Sequence, residues 1–156
     1  MHVDVTSDIV IQQPRAVVAT YAADPDNVPC WYKNIKTVEW KTAPPLTVGS
    51  QIAFVAHFLG RRMAYTYEVV EWVDSERLVM RTAEGPFPME TQYQWNSVTE
   101  GSTRMTLRNH GVPSGFSRVL APIMAGAMRR ANRKDLSLLK EILEEDGDLS
   151  VGDGPG

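Results

Sequence analysis

Tyr65, Tyr67 and Tyr93 each fall on the apolar side of an alternating segment, in step with Phe54, Phe58, Thr91, Trp95 and Asn109. A phenol held among apolar neighbours can donate a hydrogen bond to a carbonyl, or protonate an enolate that forms from one. His110 closes the last alternating segment and is a candidate for general acid–base work, beside Tyr65, Tyr67 and Tyr93 as candidate acids. Glu71 alternates toward the same side. A lone buried carboxylate is costly, so the expected place for Glu71 is the rim. His57 alternates outward, and His2 lies near the start of the chain. Cys30 precedes Trp31 in a short apolar run and reads as a small core residue rather than a nucleophile.

Other chemistries find no footing. No His, Cys, Asp or Glu cluster has ligand spacing, so no metal and no cofactor are expected. There is no glycine-rich phosphate loop and no Gly-x-Ser-x-Gly elbow. The formal charge of -3 argues against nucleic acid as a partner. One cysteine excludes an internal disulfide and fits a reducing cytoplasm. No apolar stretch approaches a membrane span, and no leader-like segment is evident, so a cytoplasmic protein without membrane insertion is expected. With 156 residues, the chain can bury one core as a monomer or weak homodimer.

Residues 3–11 read as a strand broken near Thr6-Ser7-Asp8, followed by a helix opened by Pro14 and a second short helix over residues 28–35. Residues 37–41, 50–59, 63–73, 78–83, 90–98 and 103–110 read as six further strands. A turn at Gly60-Arg61 predicts Phe58 opposite Met63 and Phe54 opposite Tyr67, which puts an apolar set on one face. After Gly111-Val112-Pro113-Ser114-Gly115, the spacing predicts a long helix with Leu120, Met124, Ala127, Ala131, Leu138 and Ile142 on its buried stripe. Pro122 lies in its first turn or kinks it. Arg129, Arg130, Arg133 and Lys134 flank the stripe. Glu141, Glu144 and Glu145 predict a frayed end. The domain is expected to span residues 1–146, with 147–156 a disordered tail.

Trp31, Val38-Glu39-Trp40, Val48-Gly49, YEVVEWVDSERLVMR (67–81), GSTRMTL (101–107) and DLSLLKEILEE (135–145) carry a resemblance in this order. The chain resembles the START and birch-pollen-allergen-like (SRPBCC) superfamily, in its polyketide cyclase/dehydrase and lipid-transport branch. The resemblance implies an α+β helix-grip fold: a seven-stranded antiparallel sheet wrapped around a long C-terminal helix, with two short helices between strands 1 and 2. It also implies a cavity between sheet and helix, its mouth ringed by residues 60–62, 85–88 and 111–115. Family members of the aromatase kind are expected to place an arginine in that cavity, whereas Arg81, Arg104 and Arg108 alternate outward here.

The expected ligand-binding set is Trp31, Phe54, Phe58, Tyr65, Tyr67, Met80, Thr82, Thr91, Tyr93, Trp95, Asn109, Met124 and Met128. Packing as a solid core is the alternative. Against it stand the tyrosines, threonines and asparagine on one interior face, because each buried polar group left unpaired costs about 1–3 kcal/mol. An apolar pocket with a few convergent polar groups suits a small hydrophobic ligand, aromatic and polyketide-like or acyl. An aromatase/cyclase that uses the pocket tyrosines is the second reading. A surface-acting interaction module is the third.

Overall fold

The computed structural model describes residues 2–112 and 121–152, and in the last helix the side chains of residues 122–145. Strand β1 (Val3–Ile11) leads into helix α1 (Arg15–Ala23), a 3-10 turn at Pro25–Asn27, and the one-turn helix α2 (Val28–Trp31). Six strands follow: β2 (Ile35–Trp40), β3 (Gln51–Phe58), β4 (Arg61–Val73), β5 (Arg77–Glu84), β6 (Met89–Thr99) and β7 (Ser102–Gly111). Helix α3 (Ala121–Gly152) closes the chain. All strand pairs are antiparallel, in the order β1-β7-β6-β5-β4-β3-β2. From β2 onward each strand pairs with the next in sequence; only β1, the partner of β7, is a distant one.

Several expectations need correction. β1 is continuous, with Ser7 buried on the same side as Val3, Val5 and Ile11, so a serine takes an inward position without interrupting the strand. The second helix ends at Trp31, and β2 already begins at Ile35. The β3–β4 turn falls on Leu59 and Gly60, both with positive φ, as a tight two-residue hairpin requires. Phe54 therefore faces Tyr65 and Ile52 faces Tyr67, a register two residues away from the expected one. A two-residue slip preserves which side chains point inward, and the apolar face survives. In β4 the pairing skips between Val69 and Glu71. That bulge turns Glu71 outward, 3.3 Å from Arg77, and Trp72 inward against Trp95.

α3 also differs. Its buried residues are Met124, Asn132, Asp135, Leu136, Leu139 and Leu143, whereas Ala127, Ala131, Leu138 and Ile142 are half-buried beside that line. The true stripe is rotated by about one residue, because two polar residues lie within it. Leu120 lies outside the described residues. Pro122 occupies the first turn, where its missing N–H costs nothing. The backbone stays helical through Gly152, beyond the expected start of a tail at Gly147. Lys140 Nζ donates to Val10 O at 2.9 Å and Gln13 Nε2 to Leu143 O at 2.8 Å, pinning this helix to β1 and its exit. Cys30 is exposed, not a core residue, because the single turn of α2 points it away from Trp31.

Two apolar clusters divide the interior. The larger runs through Trp31, Phe54, Tyr67, Leu78, Tyr93, Trp95, Leu107, Leu136 and Leu139. The smaller gathers Val3, Val5, Phe87 and Met124, with Phe58, Met63, Met89 and Met128 against it. Between them the packing opens.

Candidate functional site

The opening is a cleft between the inner face of the sheet and α3. Its volume is about 90 Å³. One wall is aromatic. Tyr65 and Tyr67 alternate on β4, so both rings project inward, 5.0 Å apart between centroids, with Phe54 5.6 Å and 6.0 Å behind them. The other wall is the helix, which presents Met124, Met128, Ala131 and Asn132 at successive turns. Phe58, Phe87 and Gly111 stand in the lining, at or beside the three connections expected to ring the mouth; residues 113–115 lie outside the described set.

A neutral hydrogen-bonded chain crosses this space. Thr91 and Asn109 sit directly opposite each other on β6 and β7, and Thr91 Oγ1 donates to Asn109 Oδ1 at 2.6 Å. The Tyr67 hydroxyl lies 2.8 Å from the same Thr91 oxygen and supplies the proton of that bond, since the Thr91 proton is already committed. Asn109 Nδ2 donates to Tyr32 Oη at 2.9 Å and to Asn132 Oδ1 at 3.2 Å. Four elements and the turn after α2 thus meet around one amide. Burial holds the Tyr67 phenol up at about 12, and pushes Tyr32, Tyr65 and Tyr93 well above the ordinary tyrosine value. At neutral pH all four are hydrogen-bond donors or weak acids, never bases.

Beneath the chain lies Asp135, which is 1% exposed. Burial raises its carboxyl to about 6, against the opposing pull of the Lys33 N–H on Oδ1 at 3.2 Å. Its Oδ2 and the Asn132 Nδ2 are enclosed without a hydrogen-bond partner among the described residues. At the mouth, Glu90 accepts from Arg81 Nε at 2.7 Å and stands 3.2 Å from His110 Nε2. Burial pulls the Glu90 carboxyl up, but these two partners outweigh it and hold it below the usual carboxylate value.

Of the residues read from the sequence, Phe58, Tyr65, Tyr67, Thr91, Asn109, His110, Met124 and Met128 line the cleft. Trp31, Phe54, Met80, Tyr93 and Trp95 do not line it but pack as core around it. Thr82 is used structurally: it accepts from Met89 N at 2.9 Å and donates to Met89 O at 3.2 Å, closing the β5–β6 turn. Arg81, Arg104 and Arg108 face outward, Arg108 chelating Asp4 at 2.7 and 3.0 Å, and no arginine among the described residues lines the cleft. On α3, Arg129, Arg130, Arg133 and Lys134 are exposed. Among the described residues no group of three His, Cys, Asp or Glu could hold a metal, and no helix is long and apolar enough to cross a membrane.

Sequence reasoning missed Tyr32, Glu90, Asn132 and Asp135. The sequence pattern runs Tyr32 into a helix that in fact stops one residue before it. Asn132 had a readable signal, since Met124, Met128, Asn132, Leu136, Leu139 and Leu143 keep helical spacing with one polar interruption.

A curled antiparallel sheet closed over one long helix, with an aromatic cleft between, defines the helix-grip class. The polyketide cyclase/dehydrase and lipid transport family matches residues 2–144, and the chain belongs to that family. Solved structures share its fold at low identity. A START superfamily protein from Mycobacterium smegmatis is 13% identical, with TM-score 0.79 over 93% of this chain and 99% of that one. The protein TTHA0849 from Thermus thermophilus is 20% identical, with TM-score 0.78 over 92% and 98%. The ZhuI aromatase/cyclase from Streptomyces sp. R1128 is 12% identical, with TM-score 0.77 over 92% and 94%. No curated protein matches the sequence.

Proposed function

We propose that the protein binds a small hydrophobic, ring-containing or acyl ligand in the cleft between β4, β6, β7 and α3. The carrying observation is the composition of the lining: an aromatic and methionine surface around one convergent set of neutral polar groups. Aromatic faces and adaptable thioethers suit flat or varied apolar shapes, and the amide chain supplies orientation. The family's description and the shared fold with a START protein agree with this reading. Titrating the protein with naphthalene-type ketones, anthraquinones and medium-chain acyl compounds, read by tryptophan quenching and melting temperature, tests it. Saturable responses are expected, and silence across the whole panel overturns it.

Cyclase chemistry on a ketone chain is the second reading, favoured by the Tyr67–Thr91–Asn109–Tyr32 chain and by the likeness of the fold to an aromatase/cyclase. Tyr65, held protonated, would donate to an enolate oxygen directly, and Tyr67 would do so by turning its hydroxyl from Thr91 to the substrate. Conversion of a poly-β-ketone mimic, abolished by Tyr67→Phe, supports it; turnover unaffected by changes at Tyr65, Tyr67 and Tyr93 rejects it.

A further inference from the structure

We infer that Tyr32 and Asn132, backed by the buried Asp135, form a polar subsite in the cleft that takes an uncharged carbonyl oxygen and turns carboxylates away. The inference rests on the ligand-binding reading and extends it to the polar end of the ligand.

The direction of the hydrogen bonds carries the first half. Asn109 spends both amide protons on Tyr32 Oη and Asn132 Oδ1, and Thr91 and Tyr67 spend theirs along the chain. The capacity left over is the Tyr32 phenol proton, the Tyr65 hydroxyl and the Asn132 Nδ2, none of which has an acceptor among the described residues. All three are donors. A buried donor without an acceptor is costly, so the cleft is complementary to an oxygen that accepts.

Charge carries the second half. A carboxylate and a ketone both accept, but Asp135 and Glu90 are the acids at hand, and the cation acting on Asp135, Lys33, is exposed and outside the lining. Asp135 sits behind Tyr32 and Asn132 with one oxygen unpaired, and Glu90 stands in the lining. His110, the basic group of the described lining, already faces Glu90, and Arg81 meets Glu90 from outside with its side chain 63% exposed. An entering carboxylate would surrender its hydration and meet the Asp135 charge with no free cation among the described lining residues, since Arg81 and His110 are already taken by Glu90. A ketone, aldehyde or ester meets neither penalty.

The test compares 2-acetylnaphthalene with 2-naphthoate, which share a ring and differ in the charge of the polar end. Titrations followed by tryptophan fluorescence at about pH 8, where both Asp135 and the naphthoate are ionised, should show the ketone binding at least ~10-fold tighter, on the like-charge argument. Asp135→Asn, checked by its melting curve, should narrow that ratio several-fold by strengthening naphthoate binding. Equal or tighter binding of naphthoate overturns the inference and leaves the ligand-binding reading standing. A ratio unchanged in both Asp135→Asn and Glu90→Gln overturns the charge argument. Failure of both probes, together with the wider panel above, removes the inference and the reading beneath it.

Discussion

Thr91 and Asn109, opposed on neighbouring strands, are joined by a 2.6 Å hydrogen bond whose orientation fixes the direction of the bonds to Tyr67, Tyr32 and Asn132. Because the threonine proton goes to Asn109 Oδ1, Tyr67 must donate to Thr91, and the Asn109 amide nitrogen must turn toward Tyr32 and Asn132. Thr91→Val keeps the shape and removes the hydroxyl, orphaning Tyr67 and Asn109 together. We expect a loss of about 1–3 kcal/mol in urea unfolding. Thr91→Ser, which restores the hydroxyl, should recover most of it.

The two β4 tyrosines separate stability from binding. Tyr67 spends its hydroxyl on Thr91, whereas the Tyr65 hydroxyl has no hydrogen bond among the described residues. Tyr67→Phe should therefore cost about 1 kcal/mol of folding free energy. Tyr65→Phe should be neutral or slightly stabilising while it weakens ligand binding. Equal stability losses at the two positions, measured by chemical denaturation, would contradict this division.

Asp135 makes stability depend on pH with a definite sign. Its folded value of about 6 lies above the ordinary 3.8, so between the two the folded state holds the proton that the unfolded chain has lost. Stability from this group is greatest below about 3.8, declines as pH rises to about 6, and stays reduced above it. The groups facing the carboxylate are Lys33 and Tyr32 from the turn after α2, Tyr93 from β6, and Asn132 from its own helix. Asp135→Asn keeps an acceptor for the Lys33 N–H and removes the charge. It should be more stable than wild type by about 1–3 kcal/mol at neutral pH, and the two should converge near pH ~4, as the shift requires. A parallel pair of stability–pH curves would show that the carboxyl is not perturbed.

Gly85 lies against the aromatic wall. A methyl added there would come within 2.9 Å of Tyr65 Cβ and 3.0 Å of Thr82 Cγ2. Gly85→Ala must push the β5–β6 turn or the β4 backbone at Tyr65, and we expect about 1–3 kcal/mol of destabilisation with weaker binding. Its melting temperature and ligand titration, measured together, check the point.

Much of this arrangement was legible because strands write their facing in a period of two. Tyr65, Tyr67, Thr91 and Asn109 all point inward as alternation requires, and even the two-residue error in the β3–β4 register left that facing intact. Alternation failed where the backbone broke it: the bulge before Glu71 reversed Glu71 and Trp72. It also cannot tell lining from core. Trp31, Phe54, Tyr93 and Trp95 share the interior but lie where the sheet packs solidly. The helix hid its polar contribution for the opposite reason. An apolar stripe is found by its apolar residues, so Asn132 showed only as a polar gap between Met128 and Leu136, and the buried Asp135 left no mark of its own.

Occupation of the cleft is tested most directly by filling it. Ala131 lines the cleft from a half-buried position on α3, so Ala131→Phe places a ring into the space a ligand would use without displacing core. Isothermal calorimetry of 2-acetylnaphthalene should show saturable binding to the wild-type protein and at least a ~10-fold loss with Ala131→Phe, from steric exclusion of the ligand, while the melting temperature holds or rises. Undiminished binding to a well-folded Ala131→Phe protein would contradict the account, because the ligand would then be held somewhere other than between sheet and helix.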